Sequence, residues 1–142
     1  MSEIYPKAKE GFLAGEIVWK EGGSTIKAAL VRGYTYSANH KFMSDVISAG
    51  GTIVASETLT SLTNTNGVMD AADGVWEGVP EGDPIPHIII YQASAVEGGS
   101  DVAPSEQRLI FWLDRGGNIP IMPNGENINV QWSPGADRIG AL

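Results

Sequence analysis

His87-Ile88-Ile89-Ile90-Tyr91-Gln92 and Arg108-Leu109-Ile110-Phe111-Trp112-Leu113-Asp114 are apolar on successive residues, the pattern of strands covered on both faces. They lie in a region from Asn66 to Ser133 that holds two more strand-like segments. One runs through Gly67-Val68-Met69-Asp70 and continues to Val75-Trp76-Glu77. The other, Asn127 to Ser133, sets Ile128, Val130 and Trp132 against Asn127, Asn129 and Gln131, which gives a strand one core face and one wet face. Between these segments stand Pro80-Glu81-Gly82-Asp83-Pro84, Glu97-Gly98-Gly99-Ser100-Asp101 and Pro123-Asn124-Gly125, residues that break helices and supply fixed or positive φ for turns. The expectation is a mainly β chain. Its form would be a single-domain antiparallel β-sandwich or jelly-roll-like barrel spanning residues 1–142, with one or two short helices near the N-terminal half.

Towards the amino terminus the pattern changes. Residues 6 to 14 read as a short helix, because Pro6 suits a first turn where its missing N–H costs nothing. Ala8, Phe12 and Leu13 fall on one side of it and Gly15 can end it. Gly11 weakens that helix, so residues 1–14 are expected to be either a helix or an interaction arm. Glu16 to Lys20 predicts a strand, and the turn Glu21-Gly22-Gly23-Ser24 would pair it as a hairpin with Thr25 to Arg32. Ser37 is the expected N-cap of a second helix carrying Phe42, Met43, Val46 and Ile47, which Gly50-Gly51 stops. Thr52 to Leu62 is β-branched and polar in near alternation, predicting strand with a bend around Glu57. Residues 138 to 142 read as a last short strand.

Composition narrows the function classes. A chain of 142 residues can bury about 68–70% of its unfolded surface without a disulfide or a structural metal. It has no cysteine, which removes a disulfide scaffold, a thiolate zinc site and a cysteine nucleophile together. Its net charge is −8, from 17 acidic against 9 basic residues, with no run of more than two Lys or Arg. Nucleic acid, whose phosphates call for cations, is not an expected partner. No apolar run approaches the roughly 20 residues of a membrane span. Met1-Ser2-Glu3-Ile4-Tyr5-Pro6 lacks the basic-then-apolar order of a signal peptide. The expectation is a soluble chain made without an export signal.

Catalytic and metal patterns are weak throughout. Asp70, Asp73 and Glu77 offer acids for glycoside hydrolysis, but that chemistry needs two carboxyls about 5–9 Å apart with one held protonated, and acids in a turn are usually solvated. Asn64, Asn66, Asp70 and Asp73 offer oxygen donors, yet Gly67 falls at the fourth position from Asn64 where a calcium loop wants glycine at the sixth. An Asn66-Gly67 turn accounts for them more simply. His40 and His87 lack the i, i+4 partner of a zinc helix, and His87 reads as the start of a strand. Ser105 and Ser133 stand in no nucleophile elbow. No cofactor, metal or catalytic residue is expected.

Trp19, Trp76, Trp112 and Trp132, with Tyr5, Tyr34, Tyr36 and Tyr91, could form a sugar-stacking surface or a packed core. Trp112 and Trp132 sit inside strands and read as core or subunit interface. Trp76, between Gly74 and Gly78 in an acidic stretch, is the expected exposed ring.

Several segments together carry a resemblance. They are Tyr5-Pro6-Lys7-Ala8-Lys9-Glu10, Ile26-Lys27-Ala28-Ala29-Leu30-Val31, Tyr36 to Val46, Asp70-Ala71-Ala72-Asp73, Ile89-Ile90-Tyr91, Leu109-Ile110, Pro123-Asn124-Gly125 and Trp132-Ser133. With these the chain resembles a family of small virion structural proteins of tailed bacteriophages. The resemblance implies a capsid decoration, or cement, protein on the head exterior, assembled in the host bacterial cytoplasm. It further implies contact with the major capsid protein and self-association as a homotrimer. A tail, neck or head-fibre component with a carbohydrate- or receptor-binding role is the alternative placement. The family transfers no specific residue. The contact candidates come from the chain itself: Ile4, Tyr5 and Phe12 in the amino-terminal segment, and the loops around Trp76 and Asp101, because termini and long loops are where β domains meet partners.

Overall fold

The computed structural model describes residues 3–114, 121–130, 132 and 139–141. In chain order the elements are β1 (Glu3–Ile4), α1 (Pro6–Leu13), β2 (Ile26–Arg32), α2 (Met43–Ser48), β3 (Thr52–Thr58), β4 (Val68–Met69), β5 (Gly74–Trp76) and β6 (His87–Gln92). There follow β7 (Ser94–Ala95), β8 (Gly98–Asp101), β9 (Arg108–Leu113), β10 (Ile128–Val130) and β11 (Gly140–Ala141). Among the described residues every pairing between strands is antiparallel. The main sheet has the order β1-β9-β6-β2-β3, and three two-stranded ladders, β10–β5, β11–β4 and β7–β8, stand apart from it. The protein is therefore mainly β and antiparallel, with two short helices in its N-terminal half, in a sandwich-like arrangement.

The three central strands explain the two apolar runs. Along β6 only His87 is less than fully buried, and along β9 only Trp112. Cross-strand register places Ala28, Ile90 and Phe111 in one row and Ala29, Ile89 and Trp112 in the next. Successive residues of a strand point to opposite faces, so these two rows feed two different layers. Over the first face lie Trp19, whose ring meets the edge of Phe111 at 6.1 Å, and Trp76, whose indole N–H donates to the Ala28 carbonyl at 3.0 Å. Over the second face Tyr36 stacks on Trp112 at 4.2 Å. The alternation read in the last strand also holds, with Ile128 packed against the core and Asn127 and Asn129 exposed.

Other local expectations are corrected. Glu16 to Lys20 is not a strand, because β2 already has β3 and β6 as its two neighbours and a strand can pair on only two sides. The segment is instead held by side chains, Gln92 foremost, which accepts the Val18 N–H at 2.9 Å and donates to the Glu16 carbonyl at 2.9 Å. Ser37 does not cap α2; its hydroxyl accepts the Asn39 N–H in a local turn. Helix α2 starts six residues later, where the Asp45 carboxylate takes the N–H groups of Lys41 and Phe42 at 2.8 and 2.9 Å. Those bonds, led by Phe42 and opposed by burial, hold the Asp45 carboxyl below its ordinary range.

The strand expected from Gly67 to Glu77 is broken in two at Asp70–Asp73, where Asp73 accepts the Trp132 N–H and the Ala72 carbonyl accepts the Trp132 indole. The strand from Thr52 ends at Thr58 without a break at Glu57. In α1 the buried side is Ala8 and Gly11, while Leu13 is 89% exposed. A methyl at Gly11 would come within 2.7 Å of Arg108 and Ile17, so the glycine that weakens the helix is what lets it lie against the sheet. Gln131 and Ser133 lie outside the described residues.

Candidate functional site

The two edges of the main sheet differ. On the outer side of β9, Glu3 and Ile4 pair with Trp112 and Phe111, and the Tyr5 N–H donates to the Ile110 carbonyl at 2.9 Å. The next groups along are taken by the loop before α2: Leu109 N–H donates to Lys41, Phe42 bridges Arg108, and Met43 N–H donates to Gln107. From Gln107 to Trp112 this edge is closed. Beneath it the guanidinium of Arg108, 5% exposed, pairs with Glu16, donates to the Lys7 carbonyl at 2.6 Å and lies over the Phe42 ring.

The opposite edge is β3, which pairs with β2 alone among the described residues. Its seven residues contain no Lys, Arg or Pro, and one acid, Glu57. That acid is turned inward: its carboxylate accepts the Val75 N–H at 2.7 Å, and Gly74 lies so close that a Cβ there would strike it. Burial raises the Glu57 carboxyl above its ordinary range, against the Val75 bond. The outward-facing strip of β3 is thus free of charge on a chain of net −8. Thr52, Ile53, Ser56 and Thr58 are exposed. Ile53, at 38%, and Ile47 on the last turn of α2, at 46%, are among the few large apolar side chains the protein shows to solvent.

The second constellation is a network of rings at one end of the sheet. The hydroxyls of Tyr5 and Tyr34 are 2.9 Å apart, and the Tyr34 hydroxyl is 2.6 Å from His40 Nδ1. Trp112 Nε1 donates to His87 Nδ1 at 3.0 Å, and His87 also meets the Tyr34 ring edge-on. Burial lifts both tyrosine hydroxyls above their ordinary range, Tyr5 the further, and burial also lowers His87, against the Tyr34 carbonyl and the Asp114 charge. The network ties the amino-terminal segment and the 33–42 loop to β6 and β9.

Of the five contact candidates, Ile4, Tyr5, Phe12, Trp76 and Asp101, only Asp101 is exposed, paired with Lys27 at 2.6 Å. Trp76 is 2% exposed, which corrects the expected exposed ring; β5 lies across the first face and carries the indole down to Ala28. Tyr5 is fully buried in the ring network, and Ile4 and Phe12 pack against the core. The acids do not gather: Asp73 and Glu77 are exposed, and Asp70 is joined through its backbone to Thr63. Asn64 spends its amide on the Trp19 carbonyl. Asn66 and Gly67 take positive φ as the turn requires. Among the described residues no three His, Asp or Glu side chains are placed to share an ion, and no helix is long and apolar enough to cross a membrane.

Sequence reasoning passed over the β3 edge, the Tyr5–Tyr34–His40 chain and the His87–Trp112 pair. The first had a signal in its charge-poor run Thr52 to Ser56. The other two had none, because their members are brought together only by strand order. Compared with family models, curated proteins and solved structures, the chain matches none of them.

Proposed function

We propose that this chain is a virion structural protein of a tailed bacteriophage, a capsid decoration protein that binds the outside of the head lattice and stabilises it by bridging subunits. The observation that carries this reading is the contrast between the sheet edges. Exposed strand edges invite pairing with another chain, and proteins ordinarily blunt them with Lys, Pro or a covering segment. Here one edge is covered residue by residue, while the other offers seven residues with their outward strip uncharged. Strand addition at such an edge takes its affinity from main-chain hydrogen bonds and its specificity from alternate side chains. On an acidic protein, an uncharged strip is where a second, equally acidic copy can approach with least repulsion. The partner assigned to β3 is therefore a neighbouring copy, within the homotrimer that the resemblance implies, with the major capsid protein below it. Ile4 and Phe12 are too far packed inward to lead such contacts; Leu13 and Ile53 take their place.

The test adds purified protein to phage shells that lack it. Co-sedimentation in a fixed stoichiometry and a higher shell melting temperature are expected, and both should be lost with Ile53→Lys. No co-sedimentation together with unchanged melting would overturn the reading. The alternative, a tail, neck or head-fibre component that binds carbohydrate, shifts from buried Trp76 to the half-exposed Tyr36–Trp112 pair. Both rings are partly buried against the core, so the reading calls for glycan binding at their exposed edge that Tyr36→Ala removes.

A further inference from the structure

The ring network contains a bond with a fixed direction. An indole N–H can only donate, so Trp112 Nε1 at 3.0 Å from His87 Nδ1 requires a lone pair on that nitrogen. His87 is then neutral, with its proton on Nε2. A proton arriving at Nδ1 would set two donors against each other. Trp112 is also one of the two residues that pair with strand β1, opposite Glu3, while its ring carries the stack to Tyr36, whose ring in turn lies 5.3 Å from that of Tyr5.

We propose that His87 is an acid-operated latch, whose protonation at Nδ1 breaks the Trp112 bond and loosens the amino-terminal strand from β9 while the central strands stay folded. Tyr34 in the loop meets the His87 ring edge-on, and Asp114, after β9, acts on it by charge. Tyr36 stacks on Trp112, Tyr5 and His40 are joined to the Tyr34 hydroxyl, Lys41 lies over Phe42, and Asp45 in α2 takes the Lys41 and Phe42 N–H groups. Arg32, beside Val31 opposite His87, is turned to the Asp83 carbonyl. The negative charge of Asp114 favours the charged imidazole and burial disfavours it, with burial the larger effect. His40 lies on the far side of the Tyr34 hydroxyl, and its ring signals separate from those of His87 by assignment.

The sign follows from where the proton is resisted. The folded His87 is depressed below the ordinary 6.5 of the unfolded chain, so it stabilises the fold above that pH, and the contribution is lost as pH falls below it. NMR of the full chain between pH 7.5 and 5 reads the latch directly. The Trp112 indole N–H signal should move with the same midpoint as the His87 ring. In parallel, the exchange protection of the Tyr5 amide, which donates to Ile110, should fall relative to that of Ile89. The fall should be about tenfold for each unit by which the imidazole resists its proton. Two variants sharpen the result. Trp112→Phe should raise the His87 midpoint, and His87→Asn, whose Oδ1 stands in place of Nδ1 and does not titrate, should remove the pH dependence of Tyr5 protection. The proposal is overturned if the indole signal does not follow His87 in the wild-type protein. A Tyr5 protection that is flat across this range would overturn it equally.

Discussion

The two edges of the main sheet are built from similar lengths of strand and meet opposite fates. On the β9 side the chain returns twice, once as β1 with Tyr5 and once as the loop before α2, and uses every outward group from Gln107 to Trp112. On the β3 side no described segment returns. The difference is one of what must be buried. Strand β9 carries Leu109, Ile110, Phe111 and Leu113, too apolar on both faces to be left at a border, and its first residue, Arg108, needs carbonyl and carboxylate partners once it is out of water. Strand β3 carries Thr52, Ser56 and Thr58 on view, residues that water tolerates. Its backbone can wait for a partner, which makes it the edge suited to assembly.

This contrast can be broken from its closed side first. Arg108→Ala removes the cation that joins Lys7, Glu16 and Phe42 to β9, and leaves a carbonyl without its donor. Glu16 is exposed and hydrates when left alone, so a loss of about 1–3 kcal/mol, the scale of a buried carbonyl left without its donor, is expected in denaturant unfolding. A loss below about 1 kcal/mol would mean the guanidinium is solvated. Tyr5→Phe, which deletes the hydroxyl bonded to Tyr34 while Tyr34 keeps His40, should cost about 0.5–1.5 kcal/mol, the net value of one hydrogen bond, and should expose the amino-terminal segment to proteases before the rest of the chain.

On the open side the expected effects are smaller. The raised Glu57 carboxyl binds its proton more tightly in the folded than in the unfolded chain. It thus favours the fold below the ordinary 4.5, and that contribution is lost as pH rises through the elevated folded value. Glu57→Gln should remove this part of the pH dependence; an unchanged stability profile above pH 4.5 would show that the carboxylate is freely hydrated. Lys27→Ala, which breaks the exposed pair with Asp101, should change unfolding by about 0.2–1 kcal/mol.

How far the sequence disclosed this follows the same division. The central strands were legible because runs such as Ile88 to Tyr91 and Leu109 to Leu113 leave no wet face, and the turns were legible from Gly, Pro and Asn chemistry. The helix start at Met43 was misread because Ser37 offers a good cap locally, while Asp45 offers a better one only after the chain has bent. Trp76 was misplaced for a related reason: flanking glycines suggest a loop, yet here Gly74 makes room for Glu57 and lets β5 lie flat across β3. Glu16 to Lys20 has a strand's composition, and strand order alone denies it a neighbour. Edges, ring networks and the partners of buried ions depend on which segments come together, and no local pattern in this chain encodes that.

The most direct measurement is the solution mass of the wild-type protein beside that of Ile53→Lys, with unfolding followed in parallel. Ile53 is 38% exposed on the open edge, so a lysine there should change monomer stability by no more than about 0.5 kcal/mol. A wild-type oligomer of fixed mass that becomes monomeric in the variant, with its unfolding preserved, is the predicted result. A wild-type protein that stays monomeric at every concentration, or an oligomer that the lysine leaves intact, would contradict assembly through β3.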